Sequence, residues 1–234
     1  MSPSRSLSQS KPKKVFVEVP EYSRRVSGLY LRPDNADVLF VFGHGAGAGM
    51  GHPFMESMSH KLAKRGIATL RYQFPYMEQG GKRPDAKPVL LATVRSAVEA
   101  ARALDNTLPM LAGGKSMGGR MTSMSAAEKP LLGVEGIIFL GFPLHPPGPP
   151  SSERAHHLKA VDVPLLFLQG TRDKLADLKL LEPVVGKLGA LATIHIVAGA
   201  DHSFHVLRSL GKSDDEVLDS LSDIIRRWAL KVVQ

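Results

Sequence analysis

The order of segments along this chain predicts an α/β fold, built on a mostly parallel sheet with helices on both faces. Three observations carry that prediction. Apolar runs of strand length alternate with stretches of helical spacing, the β-then-α order that winds a parallel sheet. The runs "GVEGIIFLGFP" and "VPLLFLQG" are apolar almost throughout, as strands covered on both faces must be. The closing segment "DDEVLDSLSDIIRRWAL" has acids early and arginines late, matching the dipole of a helix.

Taken in order, "KVFVEV" and "GLYLRP" read as an opening pair of strands. "DVLFVFGHGAG" is a strand running into a glycine-rich turn, and "HPFMESMSHKLAKRG" is a helix stopped at Gly66 after Lys64 and Arg65. "IATLRYQF" is the next strand and "KPVLLATVRSAVEAARAL" a long amphipathic helix. "PMLAGGKS" is a short buried strand followed by the helix "MGGRMTSMSAAE". After the two apolar strands quoted above, "LADLKLLEPVVGKLG" leads to a last strand, "ATIHIVAG", and the closing helix.

The 234 residues suit one domain with its own core. We expect residues 1–14 to form a flexible basic tail, with acids absent until Glu18, ahead of a single domain over residues 15–234. That tail lacks the apolar stretch of a secretory signal, and no segment approaches the ~18 apolar residues of a membrane span. The chain has no cysteine, which excludes disulfides, a thiol nucleophile and cysteine-ligated metal and accords with a cytoplasmic location. The net charge of +8 is compatible with an anionic substrate. No basic patch interleaved with aromatics marks a nucleic-acid surface, and self-association is left open.

In a sheet of this type ligands bind beyond the carboxyl ends of the strands. The loop there with the most chemistry is "GGKSMGG", Gly113 to Gly119, which has two readings. "GKS" ends a phosphate loop, but the glycine that such a loop needs five residues before Gly114 is Pro109, which has no N–H. The other reading is G-x-S-x-G, a serine on a sharp strand-to-helix turn whose small neighbours let the helix pack close. Ser116 would be the nucleophile.

A serine hydroxyl attacks poorly without a base, and the base works best when an acid orients it. On such a sheet the acid and then the histidine follow the serine. Asp173 in "LQGTRDKLAD" and His202 in "VAGADHSFH" each stand just past a strand end, in that order. Asp177 is the poorer acid because it falls inside the following helix. The oxyanion donors should be the N–H groups of Met117 and of Ala46 in "GHGAGAGM", with Gly47 the neighbouring alternative. His44 should brace that loop. Gly47, Lys115 and Arg71 are candidate substrate contacts, whereas Arg120 is expected to brace the elbow by bonding carbonyls or an acid.

With these segments in hand, the sequence resembles the α/β-hydrolase superfamily, near its dienelactone-hydrolase-like members. More narrowly, "GHGAGAGMGHPFM", "GGKSMGGRMTS", "GFPLHPPG", "QGTRD" and "ADHSF" resemble the family that includes testis-expressed protein 30 and the hydrolase-like domain of NSL-complex subunit 3. The resemblance runs from Val15 to the C-terminus. It implies an eight-stranded, mostly parallel sheet and a triad at Ser116, Asp173 and His202.

The expected activity is hydrolysis of a small ester or thioester with no cofactor. A catalytically silent binding or scaffolding module is the alternative. One departure from many esterases is the stretch "LHPPGPPSSERAHHLKAVD", which is too short for a large helical lid. His145, His156 and His157 in it are expected to be surface loop residues, with no carboxylate at metal-ligand spacing.

Overall fold

The computed structural model describes residues 11–233. The strands are β1 (Lys13–Val19), β2 (Arg24–Leu31), β3 (Val38–Gly43), β4 (Ile67–Tyr72), β5 (Met110–Lys115), β6 (Val134–Leu140), β7 (Leu165–Gly170) and β8 (Ala192–Val197). The helices are α1 (Pro53–Ala63), α2 (Pro75–Glu78), α3 (Lys87–Leu104), α4 (Met117–Glu128), α5 (Leu178–Lys187) and α6 (Asp214–Val232).

The eight strands form one sheet in the order β1-β2-β4-β3-β5-β6-β7-β8. Pairs β1–β2 and β2–β4 are antiparallel, and every pair from β4–β3 to β7–β8 is parallel. This is the α/β-hydrolase architecture expected from the sequence. Most of the tail, residues 1–10, lies outside the described residues, and β1 starts two residues earlier than the expected domain boundary.

The central strands are apolar on both faces because each face meets a different helical layer. In β3, Leu39 and Val41 join one core with α3, α4 and α5 residues, among them Leu91, Val98, Met121 and Leu181. Val38, Phe40 and Phe42, on the other face, pack with Met58 and Leu62 of α1 and with Leu221, Ile225 and Trp228 of α6. The period of two in side-chain direction produces this split. A capping box between Ser213 and Glu216 starts α6. Lys61, buried on α1, pairs with Asp215 and Asp219 of α6, both at 2.8 Å.

Sequence periodicity missed several short pieces, two of which matter to the site. The single turn α2 follows β4, and a 3-10 helix, Glu153–Ala160, occupies the Pro-rich stretch between β6 and β7. Both are too short to display a hydrophobic period. Among the described residues no large helical insertion covers the sheet there. Asp177 is also corrected: it is the N-cap of α5, and its carboxylate accepts from the Lys179 N–H at 2.9 Å.

The strand order fixes where a ligand can bind. From β3 the chain moves to β4 on one side and then crosses back to β5 on the other. The crevice beyond the ends of β3 and β5 is the topological switch point, and Gly43 and Ser116 stand at it.

Candidate active site

Ser116 separates the last residue of β5 from the first of α4, and its backbone has φ 51° and ψ −113°. A non-glycine residue in this region stores on the order of 1–3 kcal/mol, held by what surrounds it. The surroundings are backbone. A Cβ on Gly114 or Gly118 would overlap the Gly43 carbonyl oxygen, and one on Gly119 would lie 2.8 Å from the Gly114 carbonyl oxygen. Strand β3 therefore touches the elbow directly, which requires the glycine spacing seen in the sequence.

Two hydrogen bonds join side chains far apart in the chain. The Ser116 hydroxyl lies 2.8 Å from His202 Nε2, and His202 Nδ1 lies 2.7 Å from Asp173 Oδ2. A carboxylate accepts, so Nδ1 carries the proton and donates, leaving the Nε2 lone pair for the serine O–H. The Asp173 side chain is fully buried, while that of His202 is 25% exposed.

Asp173 also accepts from the Gln169 amide at 2.5 Å and from the Leu175 N–H at 2.8 Å. Gln169 in turn accepts the Phe142 N–H at 2.9 Å. Sequence reasoning passed over Gln169, though a polar residue inside "PLLFLQG", four before an acid, was a usable signal. The His202 loop is tied by Asp201, whose carboxylate accepts the Ser203 and His205 N–H groups. It lies so close to β7 that a Cβ on Gly170 would overlap the Ala200 carbonyl oxygen.

The loop after β3 is braced by His44, as expected. Its Nδ1 donates to the Gly45 carbonyl at 2.7 Å, and its Nε2 accepts the Phe74 N–H at 3.1 Å. These bonds need a neutral ring, and burial pushes its pKa down to about 4. The Gly47 N–H is engaged by the Tyr76 hydroxyl at 3.1 Å, so Gly47 is not free to serve as an oxyanion donor. Ala46 and Met117 both line a cavity with Ser116, and among the described residues neither N–H has a protein acceptor.

Other sequence expectations fare differently. Arg71 is 1% exposed, and one of its terminal nitrogens donates to the Met50 carbonyl at 3.1 Å. It sits in β4 between Leu29 of β2 and Phe42 of β3, bracing the loop from behind rather than meeting substrate. Lys115 and Gly47 do line a cavity beside Ser116. Its Nζ is buried without a hydrogen-bond partner, and burial lowers its pKa to about 8.

Among the described residues the Arg120 side chain bonds neither a carbonyl nor an acid; its hydrogen-bond contact is the Met124 sulfur at 3.7 Å. His145 is 3% exposed, and the His157 imidazole is 2.8 Å from the Ser123 hydroxyl, so neither is a surface loop residue.

Two cavities meet at Ser116. One, of about 550 Å³, runs between α4 and the segment after β6, past Met121, Pro143 and Arg154. The other, of about 510 Å³, is lined by Phe54, Met55, Lys115 and His202. Ala46 and Leu175 border both. Ser116 thus stands where two chambers open on either side of one hydroxyl. That geometry suits a substrate held on both sides of a bond to be broken.

Comparison with known proteins agrees with this architecture. Dienelactone hydrolase from Anabaena variabilis superposes with a TM-score of 0.77 at 20% identity, covering 97% of this chain and 100% of that one. XC6422 from Xanthomonas campestris, described as an α/β serine hydrolase without a lid, gives 0.73 at 18% identity over 96% and 98% of the two chains. The esterase Est1E from Butyrivibrio proteoclasticus, solved with ferulic acid, gives 0.74 at 14% identity over 94% and 99%. These likenesses are of fold. In sequence, residues 36–230 match the family described as the alpha/beta hydrolase domain, and the chain belongs to that family.

Proposed function

We propose that this protein is a serine hydrolase that cleaves a small ester or thioester by acyl transfer. The observation that carries the reading is the continuous relay Ser116–His202–Asp173, closed by bonds of 2.8 and 2.7 Å. Ser116 Oγ attacks the acyl carbon while His202 Nε2 takes its proton. The new C–O bond forms as the carbonyl π pair moves onto oxygen. The Met117 and Ala46 N–H groups, both unclaimed by protein acceptors, suit that oxyanion. Each such donor contributes about 3 to 4 kcal/mol to transition-state stability.

The tetrahedral carbon then expels the leaving oxygen or sulfur, which receives the proton from His202. Water enters, gives its proton to His202, and attacks the acyl-enzyme. Release of the acid returns Ser116 to its hydroxyl form. Asp173 holds the imidazole in the tautomer that can accept from serine, and the imidazolium is balanced by a carboxylate that three groups keep in place.

The absence of a large helical insertion among the described residues favours compact substrates over long acyl chains. The motif likeness to dienelactone-hydrolase-like proteins accords with a hydrolase, and the lack of cysteine accords with a place in the reducing cytoplasm. A fluorophosphonate probe tests the reading. We expect it to label Ser116, to abolish hydrolysis of p-nitrophenyl acetate, and to leave Ser116→Ala unlabelled. A well-folded wild type that neither reacts nor turns over would instead mark a binding module on this fold.

A further inference from the structure

The chamber bordered by α4 contains a charge that the relay does not use. Arg120 lies one helical turn beyond Ser116, its backbone N–H donating to the Ser116 carbonyl at 3.1 Å. Its Nε is buried with no acceptor, and the 3.7 Å contact to the Met124 thioether is a weak one. A guanidinium has five donors, and leaving them unmet inside a protein is costly.

Arg154, from the 3-10 helix Glu153–Ala160, lines the same chamber, and among the described residues it makes no ion pair. Burial and the charge of Arg154 together pull the Arg120 pKa down to about 10, so Arg120 stays cationic at neutral pH, as arginine guanidinium groups do in proteins. Lys87 lines the chamber as a third cation.

The acid in this lining is already engaged. Asp85 holds Arg24 at 2.9 Å with one oxygen and accepts the Tyr76 N–H at 2.7 Å with the other. The neighbouring His157 ring is neutral, since burial and the Arg120 charge push its pKa down to about 4. The remaining wall is largely apolar, including Leu90, Met117, Met121 and Pro143. Two forked cations facing an apolar chamber with no free carboxylate are complementary to a carboxylate, which guanidinium groups hold by paired hydrogen bonds.

The relay decides which half of the substrate this chamber takes. His202 must reach the leaving-group atom to protonate it, and His202 borders the other chamber, together with Phe54 and Met55. The leaving group therefore occupies that side. The acyl chain extends past Met117 toward Arg120. On this basis, which rests on the acyl-transfer reading above, we infer that Arg120 and Arg154 form a carboxylate subsite and that the substrate is a monoester or monothioester of a short dicarboxylic acid. Hydrolysis then yields a dicarboxylate and an alcohol or thiol.

The test compares mono-p-nitrophenyl glutarate with p-nitrophenyl butyrate, which share a four-carbon acyl chain and differ by the terminal carboxylate. Wild type should favour the glutarate in kcat/KM, and Arg120→Gln should reduce that ratio by about tenfold to a hundredfold, whatever loss is common to both esters. Arg154→Gln should move it in the same direction. Arg120→Lys, which keeps the charge and loses the fork, should fall between.

A wild-type ratio near one, or a ratio untouched by Arg120→Gln, overturns the subsite while leaving the hydrolase reading intact. Calorimetric titration of Ser116→Ala with monomethyl glutarate reads the subsite without turnover. Binding that weakens at least about tenfold on adding Arg120→Gln supports it even if the wild type hydrolyses neither ester, the outcome that sinks the hydrolase reading alone. No binding, or equal binding in the two proteins, counts against it.

Discussion

The two halves of the relay are held by different forces. On the Ser116 side, strand β5, helix α4 and the end of β3 meet backbone against backbone, and the contact exists because Gly114, Gly118 and Gly119 have no side chains. On the Asp173 and His202 side, the loops after β7 and β8 are joined by side chains: Gln169 to Asp173, Asp173 to His202, and Asp201 to its own loop. Steric placement is close to all-or-none, because two atoms cannot share a volume. Hydrogen-bonded placement is graded, because a lost bond costs a bounded amount. The difference teaches that the position of Ser116 belongs to the fold, while that of His202 belongs to its hydrogen bonds.

Gly118→Ala tests the first half and should have the largest effect. Gly118 lies inside α4, where alanine is the better helix former by about 1 kcal/mol. Its Cβ would nonetheless overlap the Gly43 carbonyl oxygen and come within 2.8 Å of that of His44, neither of which is a side chain that can swing away. We expect a net destabilisation beyond about 4 kcal/mol, measured by chemical denaturation, or failure to obtain soluble protein. A variant as stable as wild type would mean that β3 and α4 can separate cheaply, and the steric account of the elbow would be lost.

Asp173→Asn tests the second half. The substitution keeps the shape and removes the charge that fixes the His202 tautomer. In a serine relay the same change costs about 10⁴ in kcat. We expect a loss of that order with KM little altered, and a denaturation midpoint far closer to wild type than that of Gly118→Ala. Should kcat hold while stability collapses, Asp173 would be a structural residue and the contrast between the halves would reverse.

The same division explains what could be read from the sequence. Steric demands are written in residue type: small residues around Ser116, between a strand and a helix, point to a tight turn before any coordinates are known. The loop positions of Asp173 and His202 were also legible, since the β-then-α order says which strand ends share an edge. Direction of a long side chain was not. Arg71 follows an apolar run and invites a place in the pocket, yet the pairing of β4 between β2 and β3 sets it behind the loop it supports. Arg120 sits where it could brace the elbow, yet among the described residues its buried Nε has no acceptor. Gly47 is the neighbouring alternative to Ala46 by sequence, and the Tyr76 hydroxyl, 29 residues on, claims its N–H.

Lys115 stands where the two halves touch, and it gives the smallest and sharpest prediction. The backbone geometry of β5 directs its chain inward, so that Nζ is buried, 5.8 Å from the ring centroids of both Phe54 and Phe204. Both Nζ and His202 Nδ1 lie within 3.4 Å of the point where a Cβ on Gly141 would stand. Burial lowers the lysine pKa from 10.5 to about 8, against the opposing pull of Asp173 and Asp201. Below pH 8 the folded protein carries a charge stripped of water, and the cost is fully present. Between pH 8 and 10.5 the unfolded chain binds more protons than the folded one, so wild-type stability rises with pH. Above 10.5 the amine is neutral in both states.

Lys115→Met removes the charge and keeps an unbranched chain of similar length. It should therefore stabilise the fold by on the order of 2–3 kcal/mol at pH 7 and by much less at pH 10.5, read from urea denaturation at the two values. A gain that persists unchanged at high pH would assign the effect to packing. An absence of gain at pH 7 would show the two aromatic faces and the nearby carboxylates compensating the lost hydration in full. Either result would say how far the elbow's steric priority extends into the charged half of the site.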